Sequence, residues 1–399
     1  MNVRLHIASL IGALVLAQAC IYPFEADLEG EETPLVIEGN IQLGATTYIR
    51  LSRLKTSIYV DDSLVSSHFP LQEAEEEPDA IPFTAIVEGE DGTSVEASGV
   101  GSCALDTSHL PDGQRYRLRV HDGETGENYS SEWLTVAPMP IVDSCKWQIS
   151  EDRENADFII SFHSDGESPY YSLAYDEDYE YYSLATSTLH WEDGEIVEGE
   201  PYPNRICWMT KAKGVNQVVS TGVMVENKLV DFPLRQFTKY DRQLSVRYHL
   251  RIYTSIISAD AFRYWDNLDK ISYQGGDLFA PIPSDVKGNL YCERNPEIQV
   301  LGYISASYVD VRDLYFDNTK LGFHRTSPTD KLIIQNSIRA DYMVAPYSLW
   351  ASGYIPYMAV YGDNEYIPLY YQWIKESCVD CRTLGGSTRQ PEGWYDLFK

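Results

Sequence analysis

The chain has 399 residues, with 31 Lys and Arg against 60 Asp and Glu and a net charge of −29. A balance this acidic excludes nucleic acid as a partner, because each phosphate contact would be made against the chain's own field. Hydrophobic residues make up 44% and aromatic residues 13%, enough for folded cores and far from the disordered class.

The opening stretch MNVRLHIASLIGALVLAQAC places Arg4 ahead of an apolar run at 7–17 and ends in small residues before Cys20. This is the layout of an export signal, and its apolar part is too short for a permanent spanning helix, which needs ~20 such residues. Ala19 directly before Cys20 marks 1–19 as a lipoprotein leader and Cys20 as the lipidation site. Ala17 departs from the usual pattern, standing where Leu is commonest. No later stretch is apolar enough to span, so the expected attachment to a bacterial envelope is the lipid alone. Residues 20–33 read as an acidic tether.

Next, LVIEGNI at 35–41 and TYIRLSRL at 47–54 alternate apolar and polar residues around a short turn, which predicts a β-hairpin. The acidic stretch 61–82 reads as an exposed loop. FTAIVEG and TSVEA flank Glu90-Asp91-Gly92, a strong hairpin cue. RYRLRV and YSSEWLTV supply further strands, so 34–138 reads as one β-sandwich. Ala137-Pro138-Met139-Pro140 closes it as a stiff linker.

A second β-rich unit is expected over 141–399. IVDSCKWQIS, ADFIISFHSD, LSVRYHLRIYTSI and VLGYISASYV are its strands. Its one helix is expected near 259–272, with Ser258 as cap, Phe262, Trp265, Leu268 and Ile271 as the apolar stripe, and a stop near Gly275-Gly276. The predicted fold class is mostly β: two β-sandwich domains of immunoglobulin or fibronectin type, the second with one short helix and long loops.

Lipidation of Cys20 leaves six cysteines: Cys103, Cys145, Cys207, Cys292, Cys378 and Cys381. In an exported chain disulfides are plausible, but sequence does not assign the pairing. The Cys378-Val379-Asp380-Cys381 step has three readings. Zinc lacks a second ligand pair, and a redox dithiol lacks its βαβ context. Structural disulfides, within the step or to Cys207 or Cys292, are the preferred reading.

Tyrosine is abundant, at 30 copies. Tyr170, Tyr171, Tyr175, Tyr179, Tyr181 and Tyr182 are candidate binding aromatics, since exposed tyrosines make large, rigid contacts. A second cluster comprises Tyr354, Tyr357, Tyr361, Tyr366, Tyr370 and Tyr371. Strand propensity alone explains much of the excess. The run Asp176-Glu177-Asp178-Tyr179-Glu180 offers oxygen ligands for calcium but lacks an EF-hand glycine, so a solvated acidic loop is the preferred reading. No nucleophile elbow, zincin helix, Walker loop or dinucleotide fingerprint is present, and the eight His have no ligand spacing. No catalytic residue, metal or cofactor is expected.

Taken together, Cys20-x-x-Pro23-Phe24, LVIEGNI, YIRLSR, FRYWDNL, GGDLFAPIPSDVKGNL, VLGYISAS and the ending CVDCRTLGGSTRQPEGW resemble the domain-of-unknown-function 4249 lipoproteins of Bacteroidota. The ending is the most specific part: Cys378, Cys381, Arg382, Gly385, Gly386, Pro391 and Trp394. Gly393 stands where the family more often has Phe. The resemblance implies a surface-exposed outer-membrane lipoprotein, encoded beside a TonB-dependent receptor and acting as a non-enzymatic accessory of nutrient uptake. It brings no ligand residues. The alternatives are a free-standing adhesin or glycan-binding module using the same tyrosines, and an envelope hydrolase built from dispersed carboxylates.

Overall fold

The computed structural model describes residues 34–53, 81–166, 168–212, 217–222, 224, 227–273, 287–325, 335–336, 345–362 and 366–399. The leader, Cys20, the tether, all but the last two residues of the 61–82 stretch, and Gly275-Gly276 lie outside the described residues. The chain is mostly β, as its alternating patterns predict.

The expected first hairpin is β1 (Leu35–Leu43) with β2 (Thr46–Arg53), turning at Gly44 with φ +76°. β3 (Pro82–Gly89) and β4 (Ser94–Val100) close over the Asp91-Gly92 turn, where Asp91 accepts from the Thr93 N–H at 2.9 Å. β5 (Ser102–Asp106), β6 (Arg115–Asp122), β7 (Asn128–Ser131) and β8 (Leu134–Thr135) complete the set. Hydrogen bonding runs in the order β1-β2-β5-β4-β3-β6-β7. Ile37 near one end and Val120 near the other bury in one core, so the ribbon folds back on itself. The corner between β4 and β5 depends on glycine. A Cβ on Gly99 would lie 2.0 Å from the Ser102 carbonyl oxygen.

The second body packs two layers. One comprises β9 (Ile141–Ile149), β10 (Asn155–His163) and β16 (Leu229–Thr238). Facing it are β11 (Tyr170–Tyr182), β14 (Ile206–Ala212), β15 (Gln217–Ser220), β17 (Arg247–Ile256) and β20 (Ser305–Asp317). The hairpin β12 (Leu189–Glu192) with β13 (Glu195–Glu198) lies apart from both. Phe158 of β10 is the hub of the core, its ring centroid 5.1 Å from Tyr248 and 5.8 Å from Phe237. Truncating it to Ala would cost about 3–5 kcal/mol.

The chain does not divide cleanly at 138/141. β18 (Leu290–Cys292) pairs with β7, and β19 (Val300–Leu301) runs parallel to β1, burying Cys292, Val300, Ile304 and Ala306 in the first core. The thirteen-residue β20 then joins both bodies. Its first residues run parallel to β1 (Asn40↔Ser305), and the rest pair antiparallel with β17 (Arg247↔Asp317). The presumed linker is bound into this seam. Ala137 donates to the Ala306 carbonyl at 2.9 Å and accepts from Tyr308 at 3.1 Å.

The expected helix is α1 (Ala259–Tyr273), capped as predicted by Ser258 Oγ, which accepts from the Ala261 N–H at 3.1 Å. Among its described side chains Ala261 and Tyr264 are buried, while Phe262, Trp265 and Leu268 are half-buried; the Ile271 side chain lies outside the described residues. Two further short helices, α2 (Asn318–Leu321) and α3 (Ala345–Ala351), correct the expectation of one. A third sheet comprises β21 (Gln335–Asn336), β22 (Tyr354–Tyr361) and β23 (Pro368–Lys375), over a small core of Ala185, Ile355, Ile374, Cys378 and Val379. Among the described residues no helix is long and apolar enough to cross a membrane.

Candidate functional site

The first tyrosine cluster is a core element, not a binding face. It forms β11, with β14 and β15 on one side and β17 on the other, and its alternation turns Tyr171, Tyr175, Tyr179 and Tyr181 toward the opposing layer, all buried. Their hydroxyls are used internally. Tyr171 donates to the Asn227 carbonyl at 3.3 Å and Tyr181 to the Cys381 carbonyl at 3.0 Å. Tyr170 is half-buried against Phe262 at 4.8 Å. Of the six, Tyr182 alone is well exposed, at 49%.

The acidic run is likewise strand rather than solvated loop, and its carboxylates are matched to donors. Glu177 points into the core, where Arg235 donates at 2.9 Å and the Tyr248 hydroxyl at 2.6 Å. Glu180, 2% exposed, accepts from Arg247 at 2.9 Å, from the Trp394 indole at 3.0 Å and from Tyr395 at 3.2 Å. Asp176 accepts from Tyr253 at 2.8 Å. Burial raises the Asp176 carboxyl above its ordinary value, against the hydrogen bond from Tyr253.

On the outer face, His249 bridges two strands. Its Nδ1 lies 3.1 Å from Asp178 and its Nε2 2.8 Å from Asp313, which also accepts from Arg251 at 2.9 Å. Burial opposes a charged ring, yet the two carboxylates outweigh it and raise the His249 pKa. The Tyr315 ring stacks on the imidazole at 4.8 Å. With protonated donors already on these carboxylates, calcium would have to displace them to bind; among the described residues no cluster of three or more such groups could hold a metal.

The cysteines resolve one of the open pairings: Cys207 on β14 bonds to Cys381, 174 residues away. Cys378 is buried in the small third core, so the C-x-x-C step is not closed on itself. The Cys292 thiol is buried in the first core, 3.7 Å from Glu127. Burial pushes the Cys145 thiol up to about 12, which removes it as a nucleophile.

The cysteine bridge explains the rest of the C-terminal motif. Asp380 caps the turn Cys381–Leu384 by accepting from the Arg382 N–H, and the Arg382 side chain holds the Asp380 carboxyl down to about 2. A Cβ on Gly386 would meet the Tyr181 hydroxyl at 2.2 Å. Ser387 and Trp208 exchange backbone hydrogen bonds at 2.8 and 2.9 Å, and Trp394 then buries against β11. The motif is a clasp for the tail.

The exposed aromatic surface lies elsewhere, at the tip of the β22–β23 hairpin. Tyr361, Tyr366, Ile367 and Leu369 are exposed there, Tyr366 at 93%, and Met358 is exposed further along β22, opposite Gln372. Tyr347 and Trp350 on α3 are exposed as well, their rings 5.9 Å apart. The second tyrosine cluster therefore holds the surface aromatics, of which Tyr361 and Tyr366 are well exposed, while Tyr354, Tyr357, Tyr370 and Tyr371 are half-buried. Sequence reasoning missed Met358, Ile367 and Leu369; the available signal was apolar residues interleaved with the tyrosines of 354–371.

A model of the family described as "Domain of unknown function (DUF4249)" matches residues 21–313. The chain belongs to this family. No curated protein matches the chain. Among solved structures, a two fibronectin type-III domain segment from chicken tenascin aligns at 14% identity over 56% of this chain and 91% of its own, with a TM-score of 0.17. Superposition that poor carries no argument about this DUF4249 chain, whose fold class rests on its own strands.

Proposed function

We propose that this protein is a non-enzymatic lipoprotein of the outer membrane, anchored at Cys20, that docks on a TonB-dependent receptor as an accessory of nutrient uptake. The observation that carries the docking reading is the loop end of the β22–β23 hairpin: Tyr361, Tyr366, Ile367 and Leu369 are exposed there, with Met358 exposed further along β22, on a sheet with its own core. Rigid aromatics with little entropy to lose are what a protein-binding face requires. The non-catalytic reading is supported by Glu177, Glu180, Asp178 and Asp313, which are committed to Arg, His, Tyr and Trp partners. The test is affinity purification of tagged full-length protein from native membranes. Stoichiometric recovery of a TonB-dependent receptor is the expected result; a lipoprotein recovered alone would sink the reading and favour a free-standing adhesin.

A further inference from the structure

A cavity of about 230 Å³ opens between the β12–β13 hairpin, α3 and the start of β22. Its walls are aromatic: Trp191 from β12, Tyr202, Trp350 from α3 and Tyr354, with the buried Ile355 beside them. The His190 ring stacks on Tyr202 at 4.5 Å, and its Nε2 is 2.7 Å from the Glu200 carbonyl, which fixes the Tyr202 face. Two carboxylates, Glu192 and Glu376, stand at the cavity, and the described residues lining it include no Lys or Arg.

We infer that this cavity binds a small organic cation, an ammonium or guanidinium head group, through the rings of Trp191, Tyr202 and Trp350 and the carboxylates of Glu192 and Glu376. Ring faces are electron-rich, so a cation over them is attracted, and more strongly where water is partly excluded. Two nearby carboxylates add to that field, whereas a neutral ligand gains nothing from it. Tyr202 already feels both: burial, then Glu376 and Glu192, raise its hydroxyl pKa. Tyr354 is left out of these contacts because the Lys375 ammonium, 4.3 Å from its ring centroid, already occupies it. The volume is below the ~300–1,000 Å³ typical of drug-sized ligands, which suits a head group rather than a glycan chain.

The inference does not rest on the docking reading, and its test keeps the two apart. Purified full-length protein in mild detergent is titrated with choline, and binding is followed by tryptophan fluorescence and calorimetry. 3,3-Dimethylbutanol, the uncharged isostere, and a neutral hexose are titrated in parallel. Saturable choline binding is expected, with the isostere and the hexose at least about tenfold weaker. The Glu192→Gln/Glu376→Gln pair, both exposed positions, should weaken choline by a similar factor without shifting the thermal midpoint. Trp350→Ala should weaken it too, while substitutions at Ile367 and Leu369 should not. Equal binding of isostere and choline, preferential binding of the hexose, or no saturable choline binding would each overturn the inference.

Discussion

The indole N–H of Trp394 donates to Glu180 at 3.0 Å across 214 positions of sequence, fixing the C-terminal tail to the acidic edge of β11. Both groups are buried to about 2% exposure, and Glu180 is the acceptor for the Trp394 indole while also accepting from Arg247 and Tyr395. Trp394→Phe keeps most of the ring volume and deletes that one donor. It is expected to cost about 1–3 kcal/mol, read as a lower urea midpoint at unchanged slope. An unchanged midpoint would show that Arg247 and Tyr395 suffice for Glu180.

The Cys207–Cys381 bridge closes a long loop. In the chain-entropy picture such a link stabilises by roughly 4–5 kcal/mol. Cys207→Ser/Cys381→Ser should therefore unfold well below the parent under non-reducing conditions, while Cys378→Ser should leave the bridge intact. Peptide mapping that found Cys378 joined to Cys381 would contradict the assignment.

His249 makes stability depend on pH in both directions. Its pKa is raised above the ordinary 6.5, so its contribution is complete below that value and is lost as pH rises through the raised value. Burial would raise Asp178 and Asp313, but hydrogen bonds from His249 and Thr210 hold Asp178, and those from Arg251 and His249 hold Asp313, below the ordinary 3.8. Their contributions are complete above 3.8 and are lost as pH falls through the lowered values. The network is strongest between about pH 4 and 6.5. Denaturant midpoints at pH 5.5 and pH 8.5 should differ in the parent and converge in His249→Asn. Imidazole carbon shifts of a ring that titrates at or below 6.5 would refute the bridge.

Ile367→Asp/Leu369→Asp should abolish co-purification of the receptor while leaving the melting temperature nearly unchanged, because both side chains are exposed, at 63% and 43%. Receptor recovery at the parental level would move the contact away from the hairpin tip.

Cys20→Ala should leave the chain without incorporated radiolabelled palmitate and shift it from the membrane to the soluble fraction. Label retained in that variant would refute Cys20 as the anchor.

Local chemistry was legible in the sequence wherever it acted locally. The strand pattern of 35–41, the Asp91-Gly92 turn and the Ser258 cap each need only a few neighbouring residues, and each is found where expected. The tyrosines of 170–182 misled for a definite reason. Alternation says that one face of a strand differs from the other, but not whether both faces are covered, and here the acid face is covered too, by Arg247, His249 and the tail. The exposed apolar tip at 358–369 was hidden by the opposite error, since nothing local says which hairpin lacks a covering layer.

The sequence by itself determined the β class, the first hairpins, the capped helix, the family and the expectation of an exported, lipid-bearing chain, because these follow from short-range pattern and motif. Tertiary structure alone decided that Cys207 and not Cys378 meets Cys381, that 287–308 returns to the first core, and that β20 stitches the two bodies together. Most of those pairings join segments far apart in sequence, 174 residues in the case of the disulfide. Their partners are chosen by which surfaces remain to be buried once everything else has packed, and no local stretch of residues carries that information.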